Sequence, residues 1–238
     1  MKKYIPNIIT LFNLLSGLIA LLFVFQQKWL LVFTFVILGI LFDFADGLVA
    51  RSINASSEMG LQLDSLADMV TSGVVPGFTM FFMIENSLNI HTIYNFKPEL
   101  KYFLPFVGLL IILGSAWRLA KFNIDERQTS SFVGLPTPAN ALFIISWAVI
   151  IFNYENEFLV DLMSKTLVLI VISLLSTFAL NMEVQLFSLK FKNFSLKNNK
   201  EKYILIIFSI IIFAWLKIGS IPIIIIFYIL LSIITKKK

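Results

Sequence analysis

Cysteine is absent from the 238 residues, so the chain has no disulfides and no thiolate zinc site. Histidine occurs once, as His91, with no acid and no second histidine close to it in sequence; it reads as an exposed loop residue and not as a metal ligand. A metal would therefore have to be held by oxygen, which makes hard cations the natural candidates. Charge is scarce as well, at 14% of residues, and no polar stretch is long enough to fold alone. Internal repeats and low-complexity linkers are also missing. The absences leave a single-domain chain that cannot dress itself as a soluble protein.

What is present is apolar: 58% of the residues are hydrophobic and 25 are Phe. Apolar runs lie at 8–25, 29–50, 59–84, 102–120, 136–153, 159–180, 203–217 and 221–235, judged against the ~20 residues a helix needs to span a bilayer. The reading is an all-α polytopic transmembrane helix bundle of about eight spans: a core over 1–195 and a C-terminal transmembrane hairpin over 196–238. Because Lys217 to Pro222 interrupts the last run, one long bent helix over 203–235 is the competing reading. The first run is too long for a signal peptide and no small-residue cleavage site follows it, so it is expected to stay as the first span.

The formal net charge of +5 does not point to nucleic acid, since the lysines sit between apolar runs and at the ends. Eight spans with the amino terminus in the cytoplasm place Lys2, Lys3, Arg51, Arg118, Lys121, Arg127, Lys190, Lys192, Lys197, Lys200, Lys202 and Lys236 to Lys238 inside, 14 of the 19 basic residues. Seven spans would strand the terminal lysines outside, against the positive-inside tendency. Lysines 190–202 read as a collar for anionic membrane lipids.

Against this background "DFADGLVARSINASSEMGLQLDSLAD", residues 43–68, carries Asp43, Asp46, Asp64 and Asp68. A carboxylate in the middle of a membrane helix costs ~2.5–3.5 kcal/mol, so four facing lipid is excluded. At about 100° per residue, Asp43, Asp46, Gly47 and Ala50 form one stripe, and Gly60, Asp64 and Asp68 form another on the next helix. The short polar link from Arg51 to Glu58 makes the two helices antiparallel neighbours, so the stripes meet near one membrane surface. Four anions a few ångströms apart require compensation. One or two oxygen-bound divalent metals supply it, and paired metals suit displacement at phosphorus. Small residues on the stripes leave room for a ligand, and Arg51 offers a cation to phosphate. An ion- or proton-coupled transporter is the alternative of a different class.

The pattern Asp43-x2-Asp46-Gly47-x2-Ala50-Arg51-x8-Gly60-x3-Asp64-x3-Asp68 resembles, at every fixed position, the signature of the CDP-alcohol phosphatidyltransferases. The resemblance implies a site for Mg²⁺ or Mn²⁺ built from the four acids, with Asp64 and Asp68 in the catalytic centre and Asp68 as the base that deprotonates an incoming alcohol. It also implies a CDP-lipid held by Pro6, Asn7, Thr10, Gly47, Ala50, Arg51 and Gly60, and release of CMP. "IPNIITLFNLLSG" at 5–17 is similar to the serine-using branch, the phosphatidylserine synthases, with Asn13 where glycerophosphate-using members usually show Arg. "WRLAKFN" at 117–123, "SFVGLPTPANA" at 131–141 and "SLKFKNF" at 188–194 point the same way. CDP-diacylglycerol and L-serine are then the expected substrates, with Arg118, Lys121 and Asn123 at the serine. That branch commonly has Arg where this chain has Lys121, a change that keeps charge and loses the planar fork. Other acceptors in the family are glycerol phosphate, inositol phosphate and choline. Also implied are a homodimer and a bacterial cytoplasmic membrane with the site on its cytoplasmic side. Apart from that resemblance, Arg118 and Lys121 could hold a carboxylate or phosphate, or simply snorkel to headgroups.

Overall fold

A computed structural model describes residues 4–93, 95–125, 132–187, 195 and 199–235. Eight helical stretches occupy the eight apolar runs. They are α1 (Ile5–Phe25); α2 (Trp29–Ser52); α3 (Glu58–Asp68) running into α4 (Val75–Ser87); α5 (Leu100–Phe103) running into α6 (Leu110–Ile124); α7 (Thr137–Asn153); α8 (Glu157–Ser164) with α9 (Thr166–Asn181); α10 (Lys200–Leu216); and α11 (Ile221–Thr235). Among the described residues, five helical stretches are long and apolar enough to cross a membrane: 5–25, 29–52, 58–87, 100–124 and 200–235. The pair α8–α9, bent by 63°, makes a sixth when taken as one span. The chain is thus an all-α polytopic membrane protein.

Prolines set the irregularities. Pro76 lacks an N–H and its ring would strike the carbonyl four residues back, so the α3–α4 stretch widens into a π turn over Met69–Val74, where Val75 N–H bonds five residues back to Val70 O. Pro105 falls in the tight turn Leu104–Leu109 that joins α5 to α6. Ser57 caps α3 by accepting from Gly60 N at 3.1 Å.

Contacts at the two ends show that the stretches alternate in direction. At one end Thr10 meets Asp46, Ser65 meets Asn123, and Leu135 N bonds to Ala179 O. At the other, Gln27 pairs with Asn86, Ser87 with Thr166, and Trp29 stacks on Phe152 with ring centroids 5.1 Å apart. Helical turns run on from Lys200 to Thr235, but Lys217 departs from helical geometry at φ +49°, ψ −126°, and the Phe208 and Phe227 rings stack at 4.0 Å. A straight helix would hold those residues ~28 Å apart, so the chain reverses at Lys217–Ser220 and the last two runs form a hairpin. Tyr154 Oη donates to Leu216 O at 2.7 Å and accepts from Gly219 N at 2.8 Å, which fixes that reversal.

The stretch 58–87 is the central one: 72% of its most apolar part is buried, against 28–33% in the other four. Around α4 a core of Val24, Val32, Met80, Met83, Ile84, Ile144, Ile145 and Leu169 closes the end opposite the acids. Phe132–Val133 (β1) pairs antiparallel with Gln185–Leu186 (β2) in a two-stranded ladder at the acidic end.

Candidate functional site

Helix geometry brings the two acidic stripes together. One oxygen from each of Asp43, Asp64 and Asp68 lies within 4.8 Å of the other two. Asp46 stands beside this group and not in it: it is buried, and its Oδ2 accepts from Thr10 Oγ1, which also donates to Pro6 O. Asp68 Oδ1 accepts from Asn13 Nδ2 at 3.1 Å. Asp64 Oδ1 is buried and has no hydrogen-bond partner among the described residues.

Two cavities flank the cluster. One, of about 220 Å³, is lined by Pro6, Asn7, Thr10, Asp46, Gly47, Ala50, Arg51, Ala55, Ser56, Ser57, Gly60, Leu61 and Asp64. The other, of about 340 Å³, is lined by Asp43, Phe44, Asp46, Gly47, Arg51, Asp64, Ser65, Asp68, Arg118, Leu119, Phe122, Asn123, Pro136, Thr137 and Pro138. Asp46, Gly47, Arg51 and Asp64 line both, so they form the shared wall. A Cβ on Gly47 would meet only Arg51 Nη2, at 3.9 Å; the missing side chain leaves open space at that wall. At Gly60 it would meet Asn7 Oδ1 and Ser57 Oγ at 3.2 Å. A recess of about 560 Å³ at the far end is larger, but its one acid, Asp161, is paired with Lys165 at 3.3 Å, so it offers no comparable chemistry.

The structure thus gathers thirteen of the fourteen site residues read from the sequence at these two cavities. Lys121 stands apart: it lines neither cavity, and its Nζ is paired with Glu183. Asn123 and Ser65 are bonded side chain to side chain at 2.9 Å, tying α6 to α3 across the cavity wall. The Arg118 guanidinium, in a residue 4% exposed, lies 5.4 Å from the Phe122 ring. Sequence reasoning left Asn13, Ser65 and Pro136–Pro138 out of the site. The prolines carried a signal, since they lie in "SFVGLPTPANA", one of the stretches that resemble the serine-using branch; the ladder and the Gly134 N bond to Val184 O, at 2.9 Å, swing them onto the cavity. Gly134 has φ +80°, a conformation that suits glycine. Lys2, Lys3, Arg127, Ser131, the stretch 188–194, Lys197 and Lys236–Lys238 lie outside the described residues.

The donor set suits a divalent cation: three carboxylates converge, and one of their oxygens, Asp64 Oδ1, is buried without a hydrogen-bond partner among the described residues. Arrangements of this kind hold hard ions and leave room for phosphate oxygens.

Residues 3–180 match the model of a family described as CDP-alcohol phosphatidyltransferase. Curated relatives are similar to part of this chain. The CDP-diacylglycerol–serine O-phosphatidyltransferase of Bacillus subtilis (strain 168) is 35% identical over 147 residues, covering 60% of this chain and 74% of that protein. The protein of the same name from Methanocaldococcus jannaschii is 31% identical over 150 residues, 63% of each chain. That from Helicobacter pylori (strain J99) is 31% identical over 142 residues, covering 59% of this chain and 55% of the relative.

Proposed function

The chain belongs to the CDP-alcohol phosphatidyltransferase family, and from that premise we propose that it transfers the phosphatidyl group of CDP-diacylglycerol to the hydroxyl of L-serine, releasing CMP. The observation that carries the reading is the convergence of Asp43, Asp64 and Asp68 within 4.8 Å where two separate cavities meet. The smaller cavity, with Pro6, Asn7, Gly60 and the Arg51 guanidinium, takes the cytidine nucleotide and its phosphate. The larger takes serine, with Arg118 facing its carboxylate and the Asn123–Ser65 pair forming the wall behind it. The family and the relatives' names support the reaction, and the division of labour is supported by the open space at Gly47 on the wall the cavities share.

Mg²⁺ or Mn²⁺ held by Asp43, Asp64 and Asp68, with Asp46 adjoining, would supply the positive charge that lets carboxylates and a pyrophosphate occupy one site. Asp68 accepts the serine hydroxyl proton. The serine oxygen forms a bond to the lipid-side phosphorus, the bond from that phosphorus to the bridging oxygen breaks, and CMP leaves with that oxygen. Arg51 stabilises the departing phosphate charge. The site faces the cytoplasm in this reading, because the helix ends gathered around it are those from which the lysine-rich stretches continue in sequence. The enzyme works as a homodimer in a bacterial cytoplasmic membrane.

Purified protein in mixed micelles with CDP-diacylglycerol is expected to release CMP with serine and to stop when EDTA is added. Glycerol phosphate, inositol phosphate and choline serve as parallel acceptors. Silence with serine and turnover with another alcohol would remove the acceptor assignment; undiminished turnover in EDTA would remove the metal.

A further inference from the structure

The Asp68 carboxylate is held by a side chain that takes no part in the steps above. Asn13, fully buried on α1, donates from Nδ2 to Asp68 Oδ1 at 3.1 Å. Asn13 is itself held: its backbone O accepts from Thr71 Oγ1 at 3.2 Å. Thr71 has no exposed surface and packs against α1 at Gly17 and α2 at Gly39. A Cβ on Gly17 would come within 2.3 Å of Thr71 Oγ1, and one on Gly39 within 2.6 Å of Thr71 Cγ2 and 2.9 Å of Asn13 Oδ1. Thr71 belongs to Met69–Val74, the wide turn that follows Asp68 directly, and π turns of this kind gather at functional sites.

We infer that Asn13 is a positioning residue for Asp68, and that Thr71, wedged between Gly17 and Gly39, fixes where Asn13 stands. The inference rests on the reading of the cluster as a metal-dependent phosphatidyl-transfer site. An aspartate carboxylate swivels in a broad torsional well; one amide N–H on one of its oxygens sets its plane. The residue must be a donor, because an acceptor in that place would oppose the carboxylate. It must also be short, since α1 and α2 approach to glycine distance there. Partners of this kind, one step behind metal ligands, typically change metal affinity or activity by about 10–100-fold.

The test has two readouts on the intact protein: Mn²⁺ affinity by electron paramagnetic resonance without substrates, and CMP release with serine. Asn13→Ala is expected to weaken Mn²⁺ binding about 10-fold and to lower kcat by about 10–100-fold, with KM for CDP-diacylglycerol moving less than about threefold. Asn13→Asp keeps the shape and removes the donor, so it is expected to lose at least as much even where the alanine variant folds poorly. In an Asp68→Asn background, Asn13→Ala is expected to weaken Mn²⁺ binding no further, because the coupled partner is gone. A merely structural asparagine would cost the same factor in both backgrounds, and that result overturns the inference. So does an Asn13→Ala protein matching wild type in both readouts. A wild-type protein that neither binds Mn²⁺ nor releases CMP defeats the functional reading first, and this inference with it.

Discussion

Replacing Asp64 by Asn separates a site built for a cation from acids held in place for structural reasons. The oxygens of Asp43, Asp64 and Asp68 lie within 4.8 Å of one another, so each ionised pair repels by roughly 3.5 kcal/mol at an effective dielectric constant near 20. Asp64→Asn removes two of the three pairs, about 7 kcal/mol with all three ionised. Proton or counterion uptake reduces the gain, yet even about 2 kcal/mol moves Tm by roughly 4–8 °C in a chain of this size. The measurement is thermal unfolding in detergent followed by tryptophan fluorescence, at one scan rate, in EDTA and in saturating Mn²⁺. In EDTA the variant is expected to melt above wild type. In Mn²⁺ wild type is expected to rise by several degrees, while the variant, short of a ligand, rises little. A variant that melts lower in EDTA and keeps the full Mn²⁺ shift would refute the reasoning, because the carboxylate would then be stabilising the fold without a metal.

Gly47→Ala meets nothing closer than 3.9 Å, so Tm is expected to stay within about 2 °C while the filled wall lowers kcat/KM for CDP-diacylglycerol by about 10-fold; unchanged kinetics would show that the wall does not touch the donor. Tyr154→Phe loses both hydrogen bonds at the hairpin reversal, roughly 1–3 kcal/mol, and is expected to lower Tm with kcat and KM for serine untouched. Ser65→Ala releases Asn123; KM for serine is expected to rise about three- to tenfold with KM for the CDP-lipid steady, and equal rises in both would place the pair elsewhere.

The acidic pair of stripes was legible because helix periodicity alone puts residues three and four apart on one face, and burying a charge demands a reason. Apolar length located the eight helical runs, and the break at Lys217–Pro222 with the positive-inside tendency favoured a reversal there over one bent helix. Asn13 was not legible as a site residue: an asparagine on an apolar helix gives no sign of which carboxylate it will meet, and its partner lies 55 residues away. The π turn was equally hidden, since Pro76 announces a disturbance without saying whether the helix will kink, break or widen. Lys121 shows the opposite failure. It stands three residues after Arg118, close to the same face, but the structure turns it to Glu183, a residue of a loop that sequence periodicity does not reach.

Depth decides how one site can serve a lipid and a soluble molecule. Asp46 and Asp43 are six and nine residues from Ser52, the end of α2, and Asp64 and Asp68 are six and ten from Glu58, the start of α3. At 1.5 Å per residue the acids sit about 9–15 Å below the helix ends. A bilayer of ~40–45 Å has ~30 Å of hydrocarbon, leaving polar layers of several ångströms on each side. With the helix ends at the bilayer surface, the proposed function would put the cluster just inside the boundary, where a pyrophosphate joined to a diacylglycerol can arrive with its chains still in the hydrocarbon. The water-soluble acceptor is the one that must descend. Arg51, exposed at the rim and lining both cavities, and Arg118, buried lower down, give it charge at two levels of that descent. An alcohol with no anionic group gains nothing from the second of these, which is a physical reason to expect an acceptor that carries one, as serine does in its carboxylate.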